Sequence, residues 1–200
     1  MDPLDELIAR TEQRRIQVSE ALRPSSRAQL GQFFTPAAAA TLIAEMPRLP
    51  SHGVLRILDP GAGVGSLTTA LVARILREAP QLDIQVMAVE IDPDVAAGLQ
   101  MTLDDCVQAA TSTGTSISAT VLTEDLIDQV TGFERATGPL SVPFDLVIMN
   151  PPYRKLAADS RERHALAAEG IDCPNLYCTL RLIHGHDHQA SCATWPLVRA

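Results

Sequence analysis

Phe144-Asp145-Leu146-Val147-Ile148-Met149 runs directly into Asn150-Pro151-Pro152-Tyr153. A short apolar run of this kind fits a strand buried on both faces, as in a parallel α/β sheet. The two prolines then end the ladder, because neither has a backbone N–H to donate. Asn150 and Tyr153 are left in a turn at the carboxyl end of a strand, where open α/β sheets place their ligand crevices. An amide, a backbone carbonyl and an aromatic ring at such a place suit a planar, amino-bearing group. A strand-ending turn with an incidental tyrosine is the plainer alternative, so the rest of the chain has to decide.

Upstream, three further strands are each followed by a helical pattern. Val54-Leu55-Arg56-Ile57-Leu58 is the first strand, Asp83 to Val89 the second and Ser116 to Leu122 the third. Helices are predicted over Ser66 to Ala79, where Pro80 breaks the pattern, and over about Pro93 to Ala110. A polar, Gly- and Pro-containing stretch from Thr131 to Pro143 leads into the fourth strand as a loop. Strand, loop and helix in repetition predict an α/β fold: a doubly wound, mostly parallel, Rossmann-like sheet with right-handed crossovers.

Before the first strand, apolar residues from Leu4 to Leu22 recur at helical spacing. Asp2 suits a cap, Pro3 the first helical position, and acids fill the first turn. Pro24-Ser25-Ser26 ends that helix, and Gly31-Gln32-Phe33-Phe34-Thr35-Pro36 follows as a loop. An Ala-rich helix then runs to about Met46, with Thr35 as its cap. After Tyr153 the pattern weakens to a short helix over Asp159 to Ala168 and a helix-like start at Asn175-Leu176-Tyr177. The organisation read from these elements is an N-terminal helical segment (1–30), a partial cofactor-binding and catalytic domain (31–183) and an irregular tail (184–200).

The bulk numbers bound the alternatives. Two hundred residues predict one domain with a sizeable core. Hydrophobic and charged contents of 46% and 20% are those of a soluble globular protein, and with no membrane-length apolar run or signal pattern the expected location is cytoplasmic, with no membrane partner. Sixteen Lys and Arg against 24 Asp and Glu give a net charge of −8, which argues against a broad nucleic-acid footprint on this chain alone. Cys173, Cys178, His184, His186, His188 and Cys192 crowd one segment, but the spacing matches no paired C-x2-C knuckle. It is read as irregular tail rather than a metal site.

Polar residues fall at each strand end. Asp59-Pro60-Gly61-Ala62-Gly63-Val64-Gly65 is a tight loop between strand and helix, where glycine permits a sharp turn and a close ligand approach. It is not a G-x-G-x-x-G dinucleotide fingerprint, because Ser66 stands at the last glycine's position, and Asp59 suits a cationic ligand better than a pyrophosphate. Glu90 can accept from both hydroxyls of a ribose, or simply be a solvated strand end. Asp125 suits an exocyclic amine, or is a plain loop carboxylate. Taken singly each is weak, but random placement would seldom set Asp59, Glu90, Asp125 and Asn150 along one sheet edge.

In this order and spacing the motifs resemble those of S-adenosylmethionine-dependent N6-adenine DNA methyltransferases, of the class with cofactor motifs first and target-recognition domain last. Gly31-Gln32-Phe33-Phe34-Thr35-Pro36 is similar to the motif before the first strand, Asp59 to Gly65 to the cofactor loop, and Val89-Glu90-Ile91-Asp92-Pro93 to the ribose-binding strand end. Glu124-Asp125-Leu126 resembles the cofactor-adenine contact, and Asn150-Pro151-Pro152-Tyr153 the catalytic motif. The match spans roughly residues 30 to 156.

The resemblance implies roles. Phe33, Thr35 and Pro36, with Asp59, Gly61, Ala62, Gly63 and Gly65, would hold the methionine end of S-adenosylmethionine. Glu90 would bind the ribose hydroxyls, Ile91 would pack on the cofactor adenine, and Asp125 with Leu126 would contact its edge. The Asn150 side-chain carbonyl and the Pro151 backbone carbonyl, ahead of Pro152, would accept from N6 of a flipped adenine, and Tyr153 would stack on that base. No metal is implied. The partner would be DNA, engaged mainly through a C-terminal recognition domain, with a restriction endonuclease as a further partner in a restriction–modification or related defence system. Methylation of a protein glutamine amide or an RNA amine is the second enzymatic expectation; an inactive cofactor-binding fragment is the third. Residues 184–200 do not resemble the apolar strand and Gly-rich turn expected there, so the chain is read as truncated within the family's sheet, or as ending in a shifted reading frame.

Overall fold

The computed structural model of the chain describes residues 2–22, 34–150, 155–172 and 191–194, the last four by their backbone. Its centre is β1 (Val54–Pro60), paired in parallel with β2 (Asp83–Val89) from Val54↔Asp83 through Pro60↔Val89. β3 (Ile117–Leu122) continues the sheet beyond β2, while β4 (Leu146–Met149) lies on the other side of β1. The last described strand, β5 (Ser191–Thr194), pairs in parallel with β4, giving the order β3-β2-β1-β4-β5. The chain winds outward from β1 to β3 and then crosses back to β4. The topological switch point, where such sheets open a ligand crevice, therefore lies between β1 and β4.

Side-chain alternation explains why β4 is apolar throughout and why β1 carries apolar residues at the consecutive positions Ile57 and Leu58. Ile57, Leu146 and Ile148 enter the main core, whereas the neighbouring Leu58 and Val147 enter a second cluster with Val89 and Phe144 on the opposite face. Both faces are covered, so no position in β4 can be polar. The main core is closed by α3 (Ser66–Glu78), whose charged residues are confined to its last turns, at Arg74, Arg77 and Glu78. α1 (Pro3–Ala21) and α2 (Ala37–Ala44) pack on α3, and α4 (Pro93–Thr113) packs on α1, α3 and β3. Leu7, Ile43, Leu71, Ile75, Leu99 and Leu103 are fully buried where these helices meet.

Charged side chains fix the helices against one another. Arg74 donates to the carbonyls of Ala44 and Pro47 at 2.7 and 2.9 Å, satisfying acceptors at the end of α2. Arg14 of α1 bonds the Thr102 hydroxyl at 2.8 Å and Asp105 at 2.9 Å on α4. Glu12, gripped by Arg15 through two bonds of 2.8 and 2.7 Å, accepts the Ala37 N–H at 3.1 Å and so anchors the start of α2.

Four local expectations differ. The fourth strand begins at Leu146 rather than Phe144: Asp145 still donates its N–H to the Arg56 carbonyl (2.9 Å), and its side chain accepts the Arg56 N–H (2.8 Å) in place of a backbone acceptor. Thr35 does not cap α2; Pro36 holds the cap position, and Glu12 supplies the acceptor from another helix. The stretch from Thr131 to Pro143 is not irregular, but holds the short helix α6 (Gly132–Thr137) and a 3-10 turn at Pro139–Ser141, after α5 (Leu126–Val130). The tail, expected to be irregular and without further strands, contributes β5. Small and β-tolerant residues there suffice because the ladder uses main-chain groups that β4 leaves open on its outer edge. α7 (Arg161–Ala168) forms as expected, capped by Ser160.

Candidate functional site

The glycine loop after β1 is held by β2. The N–H groups of Gly61 and Ala62 both donate to the Val89 carbonyl at 2.9 Å, and the Gly63 N–H donates to Glu90 Oε2 at 2.9 Å. Gly61, Gly63 and Gly65 all have positive φ, of 73°, 57° and 85°, a region costly for residues with a Cβ. The close contact at Gly63 is to an aromatic ring: a Cβ there would come within 2.8 Å of Phe34 Cδ1. At Gly65 it would lie 2.9 Å from Leu99 Cδ1, so this glycine also lets α3 pack on α4.

Between the loop and β4 lies a small cleft lined by Phe34, Thr35, Gly61 to Val64, Ser66, Leu67 and Asn150. Across it, Asn150 Nδ2 donates to Thr35 Oγ1 at 3.1 Å. The structure thus brings Thr35, Gly61, Ala62, Gly63 and Asn150 together around one opening. Val64, Ser66 and Leu67 join them as lining residues that the strand-end reading passed over.

The acidic residues stand differently. Asp59 is fully buried and does not line the cleft. Thr68, one turn into α3, donates its hydroxyl to Asp59 Oδ2 at 2.7 Å, while Oδ1 has no hydrogen-bond partner among the described residues. Burial pushes the Asp59 carboxyl up to about 7, with the neighbouring Glu90 charge adding to the shift and Thr68 opposing it. Glu90 is 5% exposed, and burial likewise raises its carboxyl although the N–H groups of Asp92 and Gly63 favour the ionised form. Each Glu90 oxygen accepts one backbone N–H and keeps further acceptor capacity.

Asp125 caps α5 through the Ile127 N–H at 2.9 Å and pairs with Arg161 of α7 at 3.2 Å. Its carboxyl is raised by burial, against the lowering effect of that N–H and of Arg161. Arg161 also bonds Asp128 at 2.7 Å, and its signal in the sequence was only a charge on a polar helix. Ile91, just after β2, is half-exposed at 47%, an apolar side chain only partly covered by the described residues. Leu126 packs at the margin of the cluster formed by Leu58, Val89, Phe144 and Val147.

Gly31, Gln32 and Phe33, the motif residues Pro151, Pro152 and Tyr153, and Cys173, Cys178, His184, His186 and His188 lie outside the described residues, as does the side chain of Cys192. Among the described residues, no group of three or more His, Cys, Asp or Glu could hold a metal ion, and no helix is long and apolar enough to cross a membrane.

Residues 20–170 match the family model described as N-6 DNA Methylase. The chain belongs to this family. Among relatives of the N-6 DNA methylases, the Type II methyltransferase M.PstI of Providencia stuartii is 33% identical over 160 residues, covering 80% of this chain and 31% of that protein. The Type II methyltransferase M.BsuBI of Bacillus subtilis is 28% identical over 179 residues, covering 87% of this chain and 34% of that protein. The chain therefore spans about a third of the length of these relatives. Two solved structures share the fold. One is the methyltransferase subunit of a type I restriction-modification system from Streptococcus thermophilus (TM-score 0.55, 23% identity, 81% of this chain and 34% of that one). The other, from Listeria monocytogenes, is assigned to the class I S-adenosylmethionine-dependent methyltransferases (TM-score 0.54, 15% identity, 86% of this chain and 45% of that one). An α/β Rossmann-like fold, shared with these methyltransferases, is thus the fold of this chain.

The residues present fit S-adenosylmethionine as a ligand. A buried carboxylate oxygen such as Asp59 Oδ1, without a partner among the described residues, is the kind of group that a cationic amino end satisfies. The glycine loop leaves its backbone uncovered by side chains of its own, and Glu90 retains acceptor capacity for hydroxyls.

Proposed function

We propose that the chain is the cofactor-binding and catalytic part of an N6-adenine DNA methyltransferase that works in a restriction–modification or related defence system. The observation that carries this reading is the meeting of Asn150, Thr35 and the glycine loop at one cleft, at the sheet's topological switch point, in a member of the N-6 DNA methylase family. The amino-acid end of S-adenosylmethionine would be held at Thr35 and Gly61 to Gly63, with Asp59 beneath, the ribose at Glu90, and the adenine between Ile91 and Asp125 with Leu126. When bound, the cofactor supplies a methyl group on a sulfonium, which a nitrogen lone pair can take.

The chain's own groups act on the acceptor. The Asn150 side-chain oxygen, with the Pro151 carbonyl, accepts from the amino group and draws it away from conjugation with its ring, so the lone pair becomes available. Tyr153 offers a face for the base, which must leave the duplex because N6 is out of reach when paired and stacked. A strong base is unnecessary, because the nitrogen becomes a good acid once it carries a fourth bond. Positioning and electrostatics then supply most of the rate.

The chain spans about a third of the length of its curated relatives, and a second reading is that this stretch binds cofactor without turnover. Methyl transfer from labelled cofactor to DNA decides between them. Transfer to DNA that falls roughly a hundredfold or more in Asn150→Ala supports the first reading. Label arriving on protein glutamine or RNA, with DNA unlabelled, overturns it, and cofactor binding with no labelled acceptor leaves the second reading.

A further inference from the structure

We propose that Thr35 is a positioning residue for Asn150, and that its hydroxyl, by receiving Nδ2, helps hold the acceptor end of the Asn150 amide toward the substrate. The consequence for catalysis rests on the methyltransferase reading, but the geometry does not. An asparagine amide has a donor end and an acceptor end of nearly the same shape, and half a turn about its last torsion exchanges them. Toward an amino group only Oδ1 is useful; Nδ2 would set donor against donor. A hydroxyl can accept from Nδ2 or donate to Oδ1, and here Thr35 Oγ1 receives Nδ2 at 3.1 Å across 115 positions of sequence, which turns Oδ1 away from Thr35.

Thr35 is well placed for this work. Its side chain is buried at 8% exposure, and its neighbours on both sides are restrained. Phe34 lies against the Gly63 backbone, and Pro36 leads into α2, whose first N–H is tied to Glu12. Glu12 is in turn clamped by Arg15, so α1 holds the segment that carries the hydroxyl. The hydroxyl is not needed for helix capping, because Glu12 replaces it there. Accepting from Asn150 leaves the Thr35 proton for a second acceptor, and Thr35 lines the same cleft as Gly61 to Val64. One residue then serves the cofactor end of the cleft and the orientation of the catalytic amide together.

The test compares Thr35→Val, which keeps the shape and removes the hydroxyl, with Thr35→Ser, which keeps the hydroxyl. In the intact chain, the side-chain NH2 resonances of Asn150 are assigned by their loss in Asn150→Ala. They are expected to move in Thr35→Val and to return near the wild-type position in Thr35→Ser. Resonances unmoved in Thr35→Val overturn the proposal, and this readout requires no turnover. In methyl transfer to DNA, Thr35→Val is expected to lower kcat by roughly ten- to a hundredfold, more than it raises the cofactor KM, with Thr35→Ser recovering most of the loss. A raised cofactor KM with kcat intact also overturns it, since Thr35 would then be a cofactor ligand only. Wild-type chain that transfers no methyl group to any acceptor counts against the methyltransferase reading, while the resonances still decide the role of Thr35.

Discussion

Glu90 Oε2 accepts the Gly63 N–H at 2.9 Å, so the carboxylate at the end of β2 holds the loop that follows β1. The other oxygen, Oε1, accepts the Asp92 N–H at 3.0 Å, where Asp92 in turn caps α4 through Asp94 and Val95. A residue expected to face a ribose is thus also the tie between two strand ends. Removing it should cost structure as well as binding.

Glu90→Ala leaves two backbone donors without their acceptor at a largely buried site, which costs about 1–3 kcal/mol for each donor that stays dry. Urea unfolding should show a lower midpoint with an unchanged slope, and calorimetric titration with S-adenosylhomocysteine should show weaker binding. A variant as stable as wild type would mean that the loop keeps its shape without this tie.

Asp59 makes stability depend on pH in an unusual direction. Its folded-state carboxyl is raised from 3.8 to about 7, so between those values the folded chain holds a proton that the unfolded chain has lost. The contribution is complete below the unfolded value and is lost as pH rises through the folded one, by up to about 1.4 kcal/mol per unit. Asp59→Asn removes the ionisation, and its melting temperature should exceed that of wild type at pH 8 while the two converge near pH 4.

The glycines of the loop are not equivalent. Gly61→Ala meets no atom within 4 Å and carries only the left-handed backbone cost of about 1–2 kcal/mol. Gly65→Ala carries the same cost and drives its Cβ to 2.9 Å from Leu99 Cδ1, between packed helices. Thermal unfolding should rank Gly65→Ala clearly below Gly61→Ala, and equal midpoints would show that Leu99 can move aside without loss.

Arg161 occupies Asp125, which the cofactor-adenine contact would use. Arg161 is exposed, with 65% of its side chain in solvent, and such pairs add little to stability. Arg161→Ala should leave the melting temperature within a degree or so and strengthen S-adenosylhomocysteine binding by roughly two- to fivefold at low salt. Calorimetric titration at two salt concentrations checks both statements, and weaker binding in the variant would make Arg161 a contributor to the site.

Much of the frame was legible in the chain itself. β2 has the predicted bounds Asp83–Val89, and Asp2, Pro3 and Pro93 mark helix starts where they were read. These are local effects: apolar runs need burial, proline needs a free first turn, and a short carboxylate can satisfy the nearest orphan N–H. Thr35 misled for the same reason. Its spacing suits a cap, and nothing nearby in sequence reveals that Glu12, 25 positions away, would take that place. The tail misled in the opposite sense, because residues 191–194 carry no strand pattern of their own and gain one from the open edge of β4.

The site divides along the same line. The order of Asp59, the glycine loop, Glu90, Asp125 and Asn150 at the ends of successive strands is a property of the sequence, although β1 runs on to Pro60 and takes in Asp59; a parallel sheet with helical crossovers sends every strand end to one edge. Which of them share the cleft is not. The backbone of the loop, Thr35 and Asn150 meet there, Asp59 is buried beneath, and Asp125 is engaged by Arg161. That partition depends on how α1 and α2 pack on α3, and how α7 packs on α5. Packing sums contacts between residues far apart in the chain, so only the tertiary structure decides it.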